Sequence, residues 1–271
     1  SHLLAADPAN RSLLQWEATN SVPPPEQATY QDDPRFVAAR EAPDLVGELN
    51  PEFKSMHHDE PDDPIECVVV LAQHFVSAQF SPTFHVPSYD RWLCSIDHTP
   101  AYRYHRLVLQ VLQSSYPGRW QLKSPHHQLG IDALLAVYPD ARLVWTHRDP
   151  VRIAGSVCSL ARCLQSTFNN VDHSDQIGPH WLEYIGTMAD RSMAARDRLG
   201  DELFFDLPYQ LIVEDRVEAA RRLYEHFDMP MDESLEARYA ARAAEQPQGK
   251  HGTHTYDLRE FGLSEGQVRD R

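Results

Sequence analysis

Glycine is scarce in this chain, with 11 among 271 residues, and none falls in a G-x-x-x-x-G-K or G-x-G-x-x-G pattern. The chain therefore carries no glycine-rich cradle for a phosphate. Long apolar runs are missing too: no stretch approaches the roughly 18 residues that a membrane-spanning helix needs. Basic residues are outnumbered, 25 against 40 acidic ones, for a net charge of -15. That balance excludes nucleic acid as an expected partner, because phosphate backbones are bound through a surplus of cations. The four cysteines, Cys67, Cys94, Cys158 and Cys163, show no metal-ligand pairing, and a reduced, cytoplasmic protein is the simplest expectation. His57-His58-Asp59-Glu60 has the residue types of a metal site, but adjacent histidines point apart on most backbones and no partner cluster accompanies them. No metal is expected.

What the chain does have is one device used twice between Arg119 and Leu164: a short apolar strand, a cation, a capping residue, a proline and an amphipathic helix. The first copy is Trp120-Gln121-Leu122-Lys123-Ser124-Pro125, followed by Ile131, Leu134, Leu135 and Tyr138 at helical spacing. The second is Leu143-Val144-Trp145-Thr146-His147-Arg148-Asp149-Pro150, followed by Ile153, Val157, Leu160, Ala161 and Leu164. Ser124 and Asp149 suit the N-cap, and Pro125 and Pro150 suit the first helical position, where a missing N-H costs nothing. Both are expected helix starts.

Successive strand-helix units of this kind predict parallel strands with their carboxyl ends along one sheet edge. Lys123, Arg148 and two helix N-termini, each worth about half a positive charge, fall on that edge. Open α/β sheets bind ligands there, and this edge would attract a phosphate-like anion. The alternative is that each cation ends a strand and pairs with an acidic neighbour. Two cations in matched positions set the anion site level with that alternative.

Arg148-Asp149-Pro150, followed by Ser156 and Ser159, resembles the 3'-phosphate-binding motif of sulfotransferases, and Lys123-Ser124-Pro125 resembles the lysine-containing loop that precedes it in the same family. The run from Ala5-Ala6-Asp7-Pro8 to Trp16-Glu17-Ala18 is similar to the bacterial, mycobacterial-type branch. The resemblance implies a P-loop-like α/β fold, three layers α/β/α around a central parallel sheet, with the first strand and its phosphate loop missing from the chain. It implies transfer of a sulfuryl group from 3'-phosphoadenosine-5'-phosphosulfate to a hydroxyl of a small-molecule, lipid or carbohydrate acceptor, without a metal. Glu17 would be the general base, with His126 or His127 as alternatives, although Pro125 and the paired histidines depart from the family pattern. Lys123 would stabilise the sulfuryl oxygens or leaving phosphate, Arg148 and Ser156 would hold the 3'-phosphate, Tyr209 would lie near the adenine, and Lys250 would belong to a loop closing over the donor. A homodimer is compatible with this reading.

The remainder is consistent with a single domain over residues 1–271, in which residues 20–64 form an irregular, proline-rich covering. Ser1 to Ala6 are expected to end a helix, and Asp63-Pro64-Ile65-Glu66 to cap another carrying Ile65, Val68, Val69, Ala72, Phe75 and Val76. Phe84, His85, Tyr89, Trp92 and Leu93 suit either an acceptor pocket or a packed core. A helix from Thr99 would face inward with Tyr104, Leu107, Val108, Val111 and Leu112. Phe168 to Ile177 reads as a polar lid before a long helix from Gly178 to Arg198. Leu203-Phe204-Phe205 reads as a strand, Asp215 and Glu218 as a second capping box, and Asp232 to Ala244 as a helix. The chain would be cut at its N-terminus, and at Arg271 as well, so that by itself it is expected to be incomplete for catalysis. Two other classes fit: another P-loop transferase, such as a small-molecule kinase using Mg2+, and a truncated homologue that binds a partner without turnover.

Overall fold

The computed structural model describes residues 1–56, 60–245 and 256–271. Four short strands are described: β1 (Asn10–Ser12), β2 (Arg119–Gln121), β3 (Leu143–His147) and β4 (Phe204–Pro208). They pair in parallel as two separate ribbons, β1 with β2 and β3 with β4. The parallel strands match expectation; the pairing as two ribbons rather than one continuous sheet was not foreseen. Helices dominate the rest, the longest being Pro150–Phe168 and Ser174–Leu199.

Both predicted caps are present. The Ser124 hydroxyl accepts from the His126 amide at 3.2 Å and opens a 3-10 turn, Pro125–Leu129, that runs into the helix Ile131–Val137. The Asp149 carboxylate accepts from the Val151 amide at 2.9 Å and starts Pro150–Phe168. Asp215 likewise caps Arg216–His226 through the Glu218 amide. On the Pro150 helix, Ala154, Cys158 and Ala161 are buried, and these small residues at helical spacing let Trp181, Tyr184 and Met188 of the following long helix pack in the main core. Each large side chain buried there contributes about 1.5–3 kcal/mol.

Several expectations are corrected. The helix foreseen from Asp63 is only Val68–Ala72. Upstream, Pro64 bridges Leu14, the Ile65 amide donates to the Leu13 carbonyl, and the Cys67 amide donates to the Lys123 carbonyl. These tertiary partners take the groups that a capped helix would use. The Thr99–Gln113 helix buries Tyr102, His105, Val108, Leu109 and Leu112, leaving Leu107 57% exposed. Its face is set by bonds from His105 to the Tyr138 hydroxyl and from Tyr102 to His127. The lid foreseen at Phe168 to Ile177 shrinks to a five-residue turn, because the next helix starts at Ser174 rather than Gly178. The covering segment holds short helices, Pro34–Glu41 and Leu45–Leu49 among them. No helix among the described residues is long and apolar enough to cross a membrane.

Candidate active site

Strand β2 leads directly into the first cation. Lys123 Nζ lies 2.7 Å from Glu66 Oε1, and both side chains keep contact with solvent. The backbone repeats the tie, since the Cys67 amide donates to the Lys123 carbonyl at 3.0 Å. The Lys123 turn and the start of the Val68 helix are thus fixed to each other, with an ammonium and a carboxylate facing the same space. Glu66, expected in a helix cap, has a lysine distant in sequence as its partner.

The second cation is placed by register. In the β3–β4 ribbon His147 stands opposite Pro208, so the next residues, Arg148 and Tyr209, leave the two strands side by side. The Arg148 guanidinium lies over the Tyr209 ring, 4.7 Å from its centre. Among the described residues no carboxylate pairs with Arg148, despite the large acidic surplus. Asp206, opposite Trp145 in the same ribbon, is engaged: it receives a two-pronged grip from Arg196 at 2.7 and 2.6 Å and lies 2.6 Å from His147 Nε2. Those hydrogen bonds, chiefly from Arg196, hold the Asp206 carboxyl well below the usual range. Arg148 is left exposed at the head of a 19-residue helix, with half-buried Ser156 two turns in.

Beside Ser156 the helix admits an aromatic ring. A Cβ on Gly155 would lie 2.2 Å from the Tyr256 ring, and the Tyr256 hydroxyl donates to the Arg152 carbonyl at 2.8 Å. The chain therefore re-enters at Tyr256 against the first turns of the Pro150 helix. Lys250, like His57, His58 and Asp59, lies outside the described residues.

The other expected groups are placed elsewhere. Glu17 is fully buried, and its Oε1 accepts from Arg11 Nη2 at 2.6 Å while Oε2 faces the Leu14 amide at 3.4 Å. Arg11 is itself sandwiched against the Tyr116 and Trp120 rings. Burial raises the Glu17 carboxyl above its ordinary value against the pull of Arg11. Buried, and with both oxygens engaged, Glu17 stands in an internal ion pair with Arg11.

His126 is also fully buried. The Leu93 carbonyl can only accept, so His98 Nε2, 2.9 Å away, carries its proton. His98 Nδ1 must then accept from His126 Nε2 at 3.0 Å, and His126 Nδ1 accepts from the Ala78 amide at 3.1 Å. This assignment uses every nitrogen of both rings, and burial pushes both imidazoles below their ordinary range. His126 has no lone pair left to take a proton from an acceptor. His127 Nδ1 is engaged with the Tyr102 hydroxyl at 2.9 Å.

Comparison with known proteins decides the family. The model of the sulfotransferase family matches residues 1–233. The chain belongs to the sulfotransferase family. Its structure superposes on the crystal structure of sulfotransferase STF9 from Mycobacterium avium with a TM-score of 0.86 and 35% identity, over 100% of this chain and 70% of that one. For sulfotransferase STF1 from Mycobacterium tuberculosis H37Rv the values are 0.85 and 30%, over 99% and 71%. The omega-hydroxy-beta-dihydromenaquinone-9 sulfotransferases Stf3 of Mycobacterium bovis and Mycobacterium tuberculosis are 25% identical over 187 residues, 65% of this chain. The chain spans about half the length of these curated relatives, 46%. Membership of this family agrees with the parallel α/β architecture and with the paired strand-cation-helix units.

Proposed function

We propose that this sulfotransferase-family chain carries the 3'-phosphate grip and the acceptor-side machinery for sulfuryl transfer from 3'-phosphoadenosine-5'-phosphosulfate to an alcohol. The observation that carries the reading is Arg148: an arginine at the head of the helix that carries Ser156, stacked on Tyr209 and without a carboxylate partner among the described residues. An arginine fork with a hydroxyl suits a phosphate dianion. Tyr209 offers an aromatic face for the adenine next to that grip.

Lys123 supplies the charge for the sulfuryl oxygens, a role in which a compact ammonium stabilises what develops in the transition state. Glu66 takes the place that sequence reading gave to Glu17 or His126. It is a solvent-reaching carboxylate beside Lys123, and deprotonation or orientation of an acceptor hydroxyl needs a group with that access. The acceptor is an alcohol; the name of the Stf3 relatives, whose acceptor is a hydroxylated dihydromenaquinone, favours the lipid class over sugars. No step needs a metal, because side-chain cations supply the charge.

Titration of the chain with adenosine 3',5'-bisphosphate tests the grip. Arg148→Ala removes a charge-assisted contact worth about 2 kcal/mol, roughly a thirtyfold loss of affinity. Unchanged affinity would take Arg148 out of the site. In a longer version that includes the donor's phosphate loop, Glu66→Gln should abolish sulfuryl transfer with the bisphosphate affinity changed less than threefold. Full turnover in that variant would leave Glu66 as a counter-ion of Lys123.

A further inference from the structure

Between the Val68 and Pro87 helices the surface carries a file of aromatic rings. Phe75 and Phe80 stack with centroids 6.3 Å apart, Phe80 meets Tyr89 edge-on at 5.5 Å, and Tyr89 lies 5.4 Å from Trp92. Phe75 is 74% exposed and Trp92 44%. Phe75 also has φ of +58°, the left-handed region that a bulky residue seldom occupies. Packing does not explain it, since the ring covers no core, and glycine or asparagine would satisfy the turn with less strain. Strain of this kind persists where the surroundings impose it, and it concentrates at binding sites. Here Tyr89 imposes it: its hydroxyl lies 2.9 Å from the Phe75 carbonyl and accepts from the Ser77 amide at 2.9 Å.

The same loop is tied to the Lys123 turn. The Ser77 hydroxyl donates to the Val68 carbonyl at 2.7 Å, next to Glu66 and Cys67. The Ala78 amide donates to His126, three residues after Lys123. The buried His98–His126 pair thus anchors the ring-bearing loop to the proposed sulfuryl site. Three successive ring-to-ring steps suit an elongated apolar chain, not a single sugar ring.

We propose that Phe75, Phe80, Tyr89 and Trp92 form a strip that binds the apolar body of a long-chain acceptor alcohol, whose hydroxyl end reaches Lys123 and Glu66; this rests on the sulfotransfer reading above. Farnesol is the probe, added below its solubility limit and followed by tryptophan fluorescence, with Trp92 the most exposed indole, and by calorimetry. Saturable binding of farnesol, with glucose inert, is the expected result. Phe75→Ser should weaken it at least fivefold and Phe80→Ser likewise, whereas Leu107→Ser, at an exposed leucine on the Thr99 helix, should bind as the unaltered chain does. Phe75 is largely in solvent, so that variant should melt with the unaltered chain. Equal affinity of the Phe75→Ser chain, absence of farnesol binding, or capture of phosphatidylcholine vesicles without binding of the free alcohol would overturn the proposal. A concentration-dependent dimer that dissociates in Phe75→Ser and excludes farnesol would overturn it too, assigning the strip to a second copy. Bisphosphate titration separates the two readings. Farnesol binding lost in Phe75→Ser, with no bisphosphate binding, upholds the strip and defeats the donor site; the opposite pair defeats the strip alone.

Discussion

Arg11 and Glu17 are almost completely withdrawn from water, 4% and 0% exposed, and each depends on the other. Removing one charge of a buried pair strands its partner, and Glu17→Gln is expected to cost about 3 kcal/mol of stability, read as a lower urea midpoint; an unchanged midpoint would return Glu17 to the catalytic candidates. His98, His105 and His126 are 1% exposed or less, and burial lowers all three, His105 to about 3. An unfolded chain binds protons at these residues from about pH 6.5 downward, and the folded chain does not. Stability is therefore complete above that pH and lost as the pH falls, at up to about 4 kcal/mol per unit for three such groups. Urea midpoints at pH 7.5, 6 and 5 check the sign, in a window above most carboxylate titration; a flat profile would contradict the buried, neutral assignment. At this scale the sequence was legible for the position of Lys123 and Arg148 just past the ends of strands, but not for the Tyr209 ring under Arg148. The partners of Glu17, His126 and Glu66 were not legible, because residue type says nothing of which group the fold brings to 3 Å.

Turns and helix heads were the readable elements. Ser124, Asp149 and Asp215 each satisfy their own backbone within three residues, and such local bonds are visible in sequence. Strand β1 was not, since Asn10-Arg11-Ser12 has no strand-forming pattern and is held by its pairing with β2. The helix foreseen at Asp63 failed for the same reason, its donors being claimed by Leu13 and Lys123. On the Pro150 helix, Gly155 is the position that admits Tyr256. Gly155→Ala should force that ring away at a cost of about 1–3 kcal/mol, and should weaken bisphosphate binding through the neighbouring Ser156. Thermal melts and the same titration would show both effects; a variant that melts and binds normally would mean the ring shifts freely.

Across the whole molecule, a net charge of -15 repels anions, so binding of a doubly phosphorylated nucleotide must come from a local field. Of the two cations that follow the strands, Lys123 is paired with Glu66, and Arg148 is the one whose charge is not spent on an acid among the described residues. Recognition of a 3'-phosphate on adenosine is proposed to rest on this arginine, with Ser156 and Tyr209. The most direct measurement is a pair of calorimetric titrations of the chain, one with adenosine 3',5'-bisphosphate and one with adenosine 5'-monophosphate, which differ only by that phosphate. The bisphosphate should bind at least tenfold more tightly, a difference of about 1.4 kcal/mol or more. Equal binding of the two nucleotides would contradict it.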